Sequence, residues 1–446
     1  MTSRATSPLV LALALAACNG GDAGTDTDTD TDGAPALTNH PDAKAVLDAK
    51  CAGCHRPGDI APFALDTYAA ASAIAPALPA AIEARTMPPW SPDNACRAYA
   101  HDRSLSDAER QLLLDWIALG APEGDPADAP APPAPPPPID YDIELALPVA
   151  YTPTIAPDEY RCFLLPWPED QDSFVTAFAV TPDSRQIVHH VIAYVIPPAA
   201  VPDYQALDDA DPDPGYLCYG GPGGPGSGAS SAWLGAWVPG QAGGEMPAGT
   251  GVHVAPGSMI AVQMHYHSCP GAPPDRSMIQ VRTAQAVERE AVVLPFTNPK
   301  WIQGTEPMLI PAGDAEVVHT FEADPANFLA FLFPDGPFRP GEPIVVHQAG
   351  LHMHTLGTRA SIRAVGAADT CVLDLPRWDF NWQGNYELAE PAVLQPGDKL
   401  RLECQWDNSA ANQPVLDGAP LAPQDVLWGE GTGDEMCLGI LYVAPA

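Results

Sequence analysis

Ser258-Met259-Ile260-Ala261-Val262-Gln263-Met264-His265-Tyr266-His267 is closed in by Pro256-Gly257 on one side and Cys269-Pro270-Gly271 on the other. A run of this length, carrying Ile, Val and Tyr between turn residues, reads as a β-strand. The stretches 174–181, 186–196, 315–322, 361–365, 399–406 and 438–443 have the same texture. So does the composition: 54 Pro and 37 Gly among 446 residues favour short strands joined by many turns. Beyond Tyr141 this pattern runs for roughly 300 residues, more than one sandwich needs. The reading is therefore mainly β, with two jelly-roll-like sandwich domains at 141–285 and 286–446.

The region before them has another texture. Residues 42–49, 69–85 and 111–119 read as helices, and Ser106-Asp107-Ala108-Glu109 has the form of a capping box at the start of the last one. A small all-α domain is expected at 37–125, followed by a linker at 126–140. In that linker 129–138 is proline-rich, and ten residues of polyproline II extend roughly 30 Å.

Within the helical region stands Cys51-Ala52-Gly53-Cys54-His55. C-x-x-C-H is the attachment site of a c-type haem: Cys51 and Cys54 take up the vinyl groups and His55 ligates the iron. Met87, in Met87-Pro88-Pro89-Trp90, is the candidate sixth ligand. A His/Met iron has no open position, so this cytochrome c domain is expected to move electrons and leave the chemistry to another site.

The chain starts with Arg4 and an apolar run over 9–17, too short to span a membrane as a helix, and residues 1–17 read as a signal peptide. Leu15-Ala16-Ala17-Cys18 resembles the lipobox of bacterial lipoproteins, which implies lipidation of Cys18. Asn19 after it favours the outer membrane. Residues 18–36, with their Thr-Asp repeat, form an acidic tether unable to bury a core. The expected location is extracytoplasmic, in the periplasm or at the cell surface, with membrane contact through the lipid anchor only. The chain has 20 Lys and Arg against 56 Asp and Glu, a net charge of -36, which argues against nucleic acid as a partner. Setting aside Cys18 and the haem pair, seven of ten cysteines remain, an odd number whose pairing spacing alone does not give.

Five of twelve histidines fall in three groups on expected strands: His189-His190, His265 and His352-Met353-His354. Strand alternation points His352 and His354 the same way, a two-point chelate for one metal. Adjacent His189 and His190 diverge on a regular strand and reach one ion only at a strand end or a bulge. Imidazole and thioether donors without carboxylates suit copper, with zinc the rival on ligand type; a neighbouring redox haem favours copper. His267 shares a face with His265 and is either a competing ligand or a support to one. His40, His101, His253, His319 and His347 read as surface or core residues.

His189-His190, Gln263-x-His265-Tyr266, His352-x-His354-x-x-Gly357 and Asp434-Glu435-Met436-Cys437, in this order, resemble the copper type II, ascorbate-dependent monooxygenases, the family of the peptidylglycine α-hydroxylating and dopamine β-monooxygenases. The resemblance covers about 150–446. It implies one copper held by His189, His190 and His265 for electron transfer, and a second held by His352, His354 and Met436 where oxygen is activated. It further implies disulfides Cys404–Cys437 and Cys162–Cys269, and leaves Cys96, Cys218 and Cys371 unassigned.

The implied reaction hydroxylates an aliphatic C–H bond of a small organic substrate with O2. Two copper ions and one haem c serve as cofactors, and a small reductant such as ascorbate, or a redox protein, supplies electrons. The fused haem is expected to feed the first copper. The competing reading is a haem-copper electron carrier or copper-handling lipoprotein. Where peptide-amidating members carry an Arg and a Tyr to clamp a carboxylate, this chain has Gly350 and Ile440. The expectation is a neutral or apolar substrate.

Overall fold

The computed structural model describes residues 37–58, 61–131, 139–224, 232–238, 243–268, 271–334, 336–380, 382–416, 419–429 and 433–446. Cys18, the leader, the acidic tether and most of the proline-rich spacer lie outside them.

Helices occupy Asp42–Lys50, Tyr68–Ile74, Leu78–Glu83 and Asp107–Ala118, packed around Leu47, Leu113 and Trp116. The capping box forms as read: Ser106 accepts from the Glu109 amide at 3.2 Å, and the Glu109 carboxylate accepts from the Ser106 amide at 2.7 Å. The expected helix over 69–85 is broken. Pro76 and Pro79 lack the amides that a continuous ladder needs, so a 3₁₀ turn at Ala75–Ala77 separates two short helices.

The rest is mainly β. Strands Ile143–Ala146, Met278–Ala284, Ser173–Thr181 and Thr250–Val254 form one layer; Ala232–Trp237, Val188–Ile196, Met259–His267 and Asp158–Pro166 form a second. Strand Arg289–Phe296 joins the two layers. It pairs in parallel with Thr250–Val254 at one end and antiparallel with Ala232–Trp237 further on. The first core lies between the layers, around Val175, Val191, Phe163, Val262 and Val281. A four-stranded sheet of Val317–Ala323, Lys399–Trp406, Gly357–Val365 and Asp369–Leu375 packs on Ile344–His352, Leu438–Pro445 and Arg289–Phe296 over the second core, which holds Ile362, Leu402, Val346 and Leu441.

Met259–His267, paired with Asp158–Pro166 on one side and Val188–Ile196 on the other, is buried on both faces rather than alternating, since Ala261, on the face away from the first core, packs with Cys162, Tyr194 and Tyr204. Its even positions, Ile260, Val262, Met264 and Tyr266, enter the first core. The odd positions, among them His265, therefore take the opposite face.

The passage from one half to the other near 285 is no linker. On Arg289–Phe296, Ala291 and Val293 enter the first core while Val292, Leu294 and Phe296 enter the second. On Leu438–Pro445, Tyr442 and Ala444 enter the first while Leu441 and Val443 enter the second. Two paired strands thus serve both cores, one on each face.

Among the described residues three disulfides form: Cys96–Cys371, Cys162–Cys218 and Cys404–Cys437. The last is the pair implied by the family resemblance. The Cys162–Cys269 expectation is overturned, since Cys162 bonds to Cys218. Cys162 stands opposite Gln263, and by His267 the neighbouring strand has already run four residues on, about 13 Å at strand rise. A disulfide bridges Cα atoms only to about 7 Å. Tyr216, by contrast, is the strand partner of Cys162, which brings Cys218 alongside. Cys269, the odd cysteine, lies outside the described residues. Three disulfides fit an oxidising compartment. Among the described residues no helix is long and apolar enough to cross a membrane.

Candidate metal centres

The pairing of Val188–Ile196 with Met259–His267 slips by one residue at the histidines. Val188 faces Tyr266 and His190 faces His265, so His189 is the extra residue of a β-bulge. The bulge turns two sequence neighbours toward one point. His265 Nδ1 lies 3.2 Å from His189 Nδ1 and 3.2 Å from His190 Nδ1. One ligand atom from each of the three rings falls within 4.8 Å of the others.

His265 is aimed from behind. Its Nε2 lies 2.9 Å from Asp158 Oδ1, and Tyr160 stacks on its ring at 4.1 Å with planes 9° apart. A neutral imidazole whose Nε2–H is given to a carboxylate presents the Nδ1 lone pair to the cluster. Burial keeps the rings neutral. It pulls His189 down to about 4, aided by His265 and His267, and pulls His190 well below its ordinary value. Burial also lowers His265 against the opposing pull of Asp158. The hydrogen bond from His265, foremost, lowers Asp158 to about 2. Three neutral nitrogens converging in a half-buried site suit a borderline transition metal. His267 is turned to the same Asp158 oxygen at 2.9 Å and stays 63% exposed, a support to the carboxylate.

The second pair lies at the end of Ile344–His352. The strand stops at His352, two residues short of His354, because Glu435 takes over the next amides: its carboxylate accepts from the His354 amide at 2.8 Å and the Leu356 amide at 2.6 Å. The rings of His352 and His354 stand 5.1 Å apart. Each is oriented through Nδ1, His352 by Gln383 Oε1 at 2.7 Å and His354 by the Asp434 carbonyl at 2.9 Å. Trp378 Nε1 donates to the His354 carbonyl at 2.9 Å. Burial, then His354, brings His352 down to about 3.

Glu435 also accepts from Trp406 Nε1 at 2.9 Å and is wholly buried, which pushes its carboxyl up to about 7. The residue after it is Met436, itself buried, and then Cys437 in its disulfide with Cys404. One carboxylate therefore ties the histidine loop to the methionine loop. The two histidine groups stand within electrostatic reach of each other, since His352 is among the groups that depress His190.

At the C-x-x-C-H motif, Cys51 caps the helix Asp42–Lys50, and the amides of Cys54 and His55 donate to its carbonyl at 3.1 and 3.0 Å. His55 Nδ1 lies 3.1 Å from the Phe63 carbonyl and its ring packs on Phe63 at 4.6 Å, which leaves Nε2 as the nitrogen that could ligate a metal. Cys51 and Cys54 are not joined in a disulfide, and burial, then Cys54, pushes the Cys51 thiol up to about 12. A paired thiol turn with an oriented imidazole fits covalent haem. Met87 follows the helix Leu78–Glu83 and is 43% exposed.

Asp158, Tyr160, Gln383 and Trp378 have no sequence signal of their own. Asp158 is brought to His265 by strand pairing, and only the aligned strands mark it. Of the remaining histidines, His253 lies 2.9 Å from Asp172 Oδ1 and His319 2.8 Å from the Leu309 carbonyl.

No family model matches the chain, and no curated protein matches it. Among solved structures it is similar to the infectious bursal disease virus VP2 subviral particle, at 11% identity over 70% of this chain and 75% of that one, with a TM-score of 0.17. It is also similar to vicilin from Solanum lycopersicum (tomato), at 8% identity over 64% and 74%, with a TM-score of 0.13. Likenesses this slight carry no argument about fold or function.

Proposed function

We propose that the chain is a copper monooxygenase that hydroxylates an aliphatic C–H bond of a neutral or apolar substrate, with a fused c-type haem as electron donor. The observation that carries the reading is the bulge at His189, which gathers three neutral imidazoles into one donor set within reach of a second histidine pair. Copper bound by His189, His190 and His265, and by His352, His354 and Met436, would supply one-electron transfer and oxygen activation; haem held by Cys51, Cys54 and His55, with Met87 as candidate second axial ligand, would supply electrons.

The chain's own residues do the positioning. Asp158 and Tyr160 fix His265; Gln383 and the Asp434 carbonyl fix His352 and His354. Two uncharged positions support the substrate class. Gly350 and Ile440, which stand where peptide-amidating members carry Arg and Tyr, are direct cross-strand partners. A Cβ at Gly350 would meet Asn385 Oδ1 and the Gly384 carbonyl at 3.1 Å, so a side chain there needs its neighbours to shift by a few tenths of an ångström. The lipid anchor at Cys18 belongs to the same proposal and suits export to an oxidising compartment.

Metal and haem stoichiometry of the mature protein, followed by oxygen uptake against a substrate panel, tests this. Two coppers, one haem and substrate-dependent uptake are expected. A loaded protein that reduces and reoxidises without substrate-dependent uptake is an electron carrier instead, and one without copper sinks both readings.

A further inference from the structure

The helical unit is fastened to one β half, and the fastening converges on His352 and His354. Cys96 bonds to Cys371. The segment around Tyr99 lies along strand Asn385–Leu394: the Ala100 amide donates to the Glu387 carbonyl at 2.9 Å, and the Ala389 amide to the Ala98 carbonyl at 3.1 Å. Trp90, three residues after Met87, packs edge-on against Tyr386 at 5.3 Å. Arg377 grips the end of the helix that precedes Met87, donating to the Ala84 carbonyl at 2.7 Å and to the Arg85 carbonyl. Its neighbour Trp378 is bonded to the His354 carbonyl, with its ring 6.5 Å from that of His352.

We propose that Arg377 and Trp378 form a fixed joint through which the C-x-x-C-H unit delivers electrons to the His352–His354–Met436 group, and not first to His189, His190 and His265. This rests on the copper and haem reading above. Two adjacent residues make the connection, one holding the Met87-bearing segment and the other holding the histidine loop, while the disulfide and the β-bridge at Tyr99 fasten the unit to this half. Both are positioning residues. Each delivery moves one electron from ferrous haem to a cupric ion. The iron is oxidised by one unit and the copper reduced by one, no bond to the chain is made or broken, and a small reductant of the ascorbate class restores the iron.

Two measurements on the full chain test the joint. Hydrogen exchange, which needs no cofactor, should show the amides of Ala100 and Ala389 protected, and that protection lost in a Cys96→Ser, Cys371→Ser, Arg377→Ala variant while the 259–267 strand stays protected. In the haem- and copper-loaded protein, flash reduction of the haem should give a fast reoxidation that persists in His189→Ala, disappears in His352→Ala and slows in Trp378→Phe when rates are compared at equal copper occupancy. Unprotected amides at Ala100 and Ala389 in the unaltered chain overturn the joint. A fast phase lost in His189→Ala and kept in His352→Ala overturns the point of entry while leaving the proposed function standing. A chain that loads neither haem nor copper overturns the function and the delivery role together.

Discussion

Asp158 Oδ1 lies 2.9 Å from His265 Nε2, on the side of the imidazole opposite the nitrogen that faces His189 and His190. The contact selects the tautomer with Nδ1 free of hydrogen, and holds the ring flat against Tyr160. Replacing Asp158 by Asn is expected to weaken copper at the first group about 10- to 100-fold, the usual cost of losing such a support. Competition titration with a copper chelator reads this directly. An unchanged affinity would show that the carboxylate orients nothing.

Glu435 makes a corresponding prediction for the second group. Glu435→Gln keeps the shape but exchanges one accepting oxygen for a donor, leaving the His354 or Leu356 amide, or Trp406 Nε1, without its partner. A buried donor so stranded costs about 1–3 kcal/mol. Thermal unfolding should record the loss, and the copper lost from the variant should come from the second group alone. Equal loss from both groups would mean that Glu435 supports the fold at large.

Acid should unfold the metal-free chain through its histidines. Burial holds His189 at about 4 and His352 at about 3, whereas an unfolded imidazole takes its proton near 6.5. Below about 6.5 the unfolded chain therefore binds more protons, and stability falls as pH drops through the folded values. Glu435 acts with the opposite sign: held at about 7 by burial, its stabilising protonated form is complete below about 4.5 and lost as pH rises through 7. Urea midpoints measured down the acid limb should fall less steeply in His189→Ala, His352→Ala than in the unaltered chain. Parallel acid limbs would count against neutral, buried rings.

Cys404–Cys437 closes a separation of 33 residues beside Met436. Its removal by paired Ser substitutions should cost about 2–4 kcal/mol. It should also loosen copper at the Met436 group and leave the His189 group untouched, which metal analysis after dialysis resolves.

Legibility in the sequence followed the range of the interactions. The capping box at Ser106 and Glu109 involves four consecutive residues and was readable, as were the strands at 188–196 and 259–267. The histidine groups could be recognised as donors, but the device that unites His189 with His190 is a one-residue slip between strands 76 positions apart, which no local pattern encodes. Cys162 lay equally beyond reach. Its partner depends on Tyr216 settling beside it, and the family resemblance pointed to Cys269. Asp158 and Gln383 act on the histidines only through pairing and loop closure, so as isolated letters they were ordinary polar residues.

The paired strands Arg289–Phe296 and Leu438–Pro445 present alternate side chains to two cores, so neither core is complete without them. A cut near 285 would strip the first half of one wall and expose an open strand edge. Each half therefore depends on the other for a wall of its core. The strands that carry His190 and His352 are placed relative to each other through this one shared pair, His190's by way of Ala232–Trp237 and His352's directly.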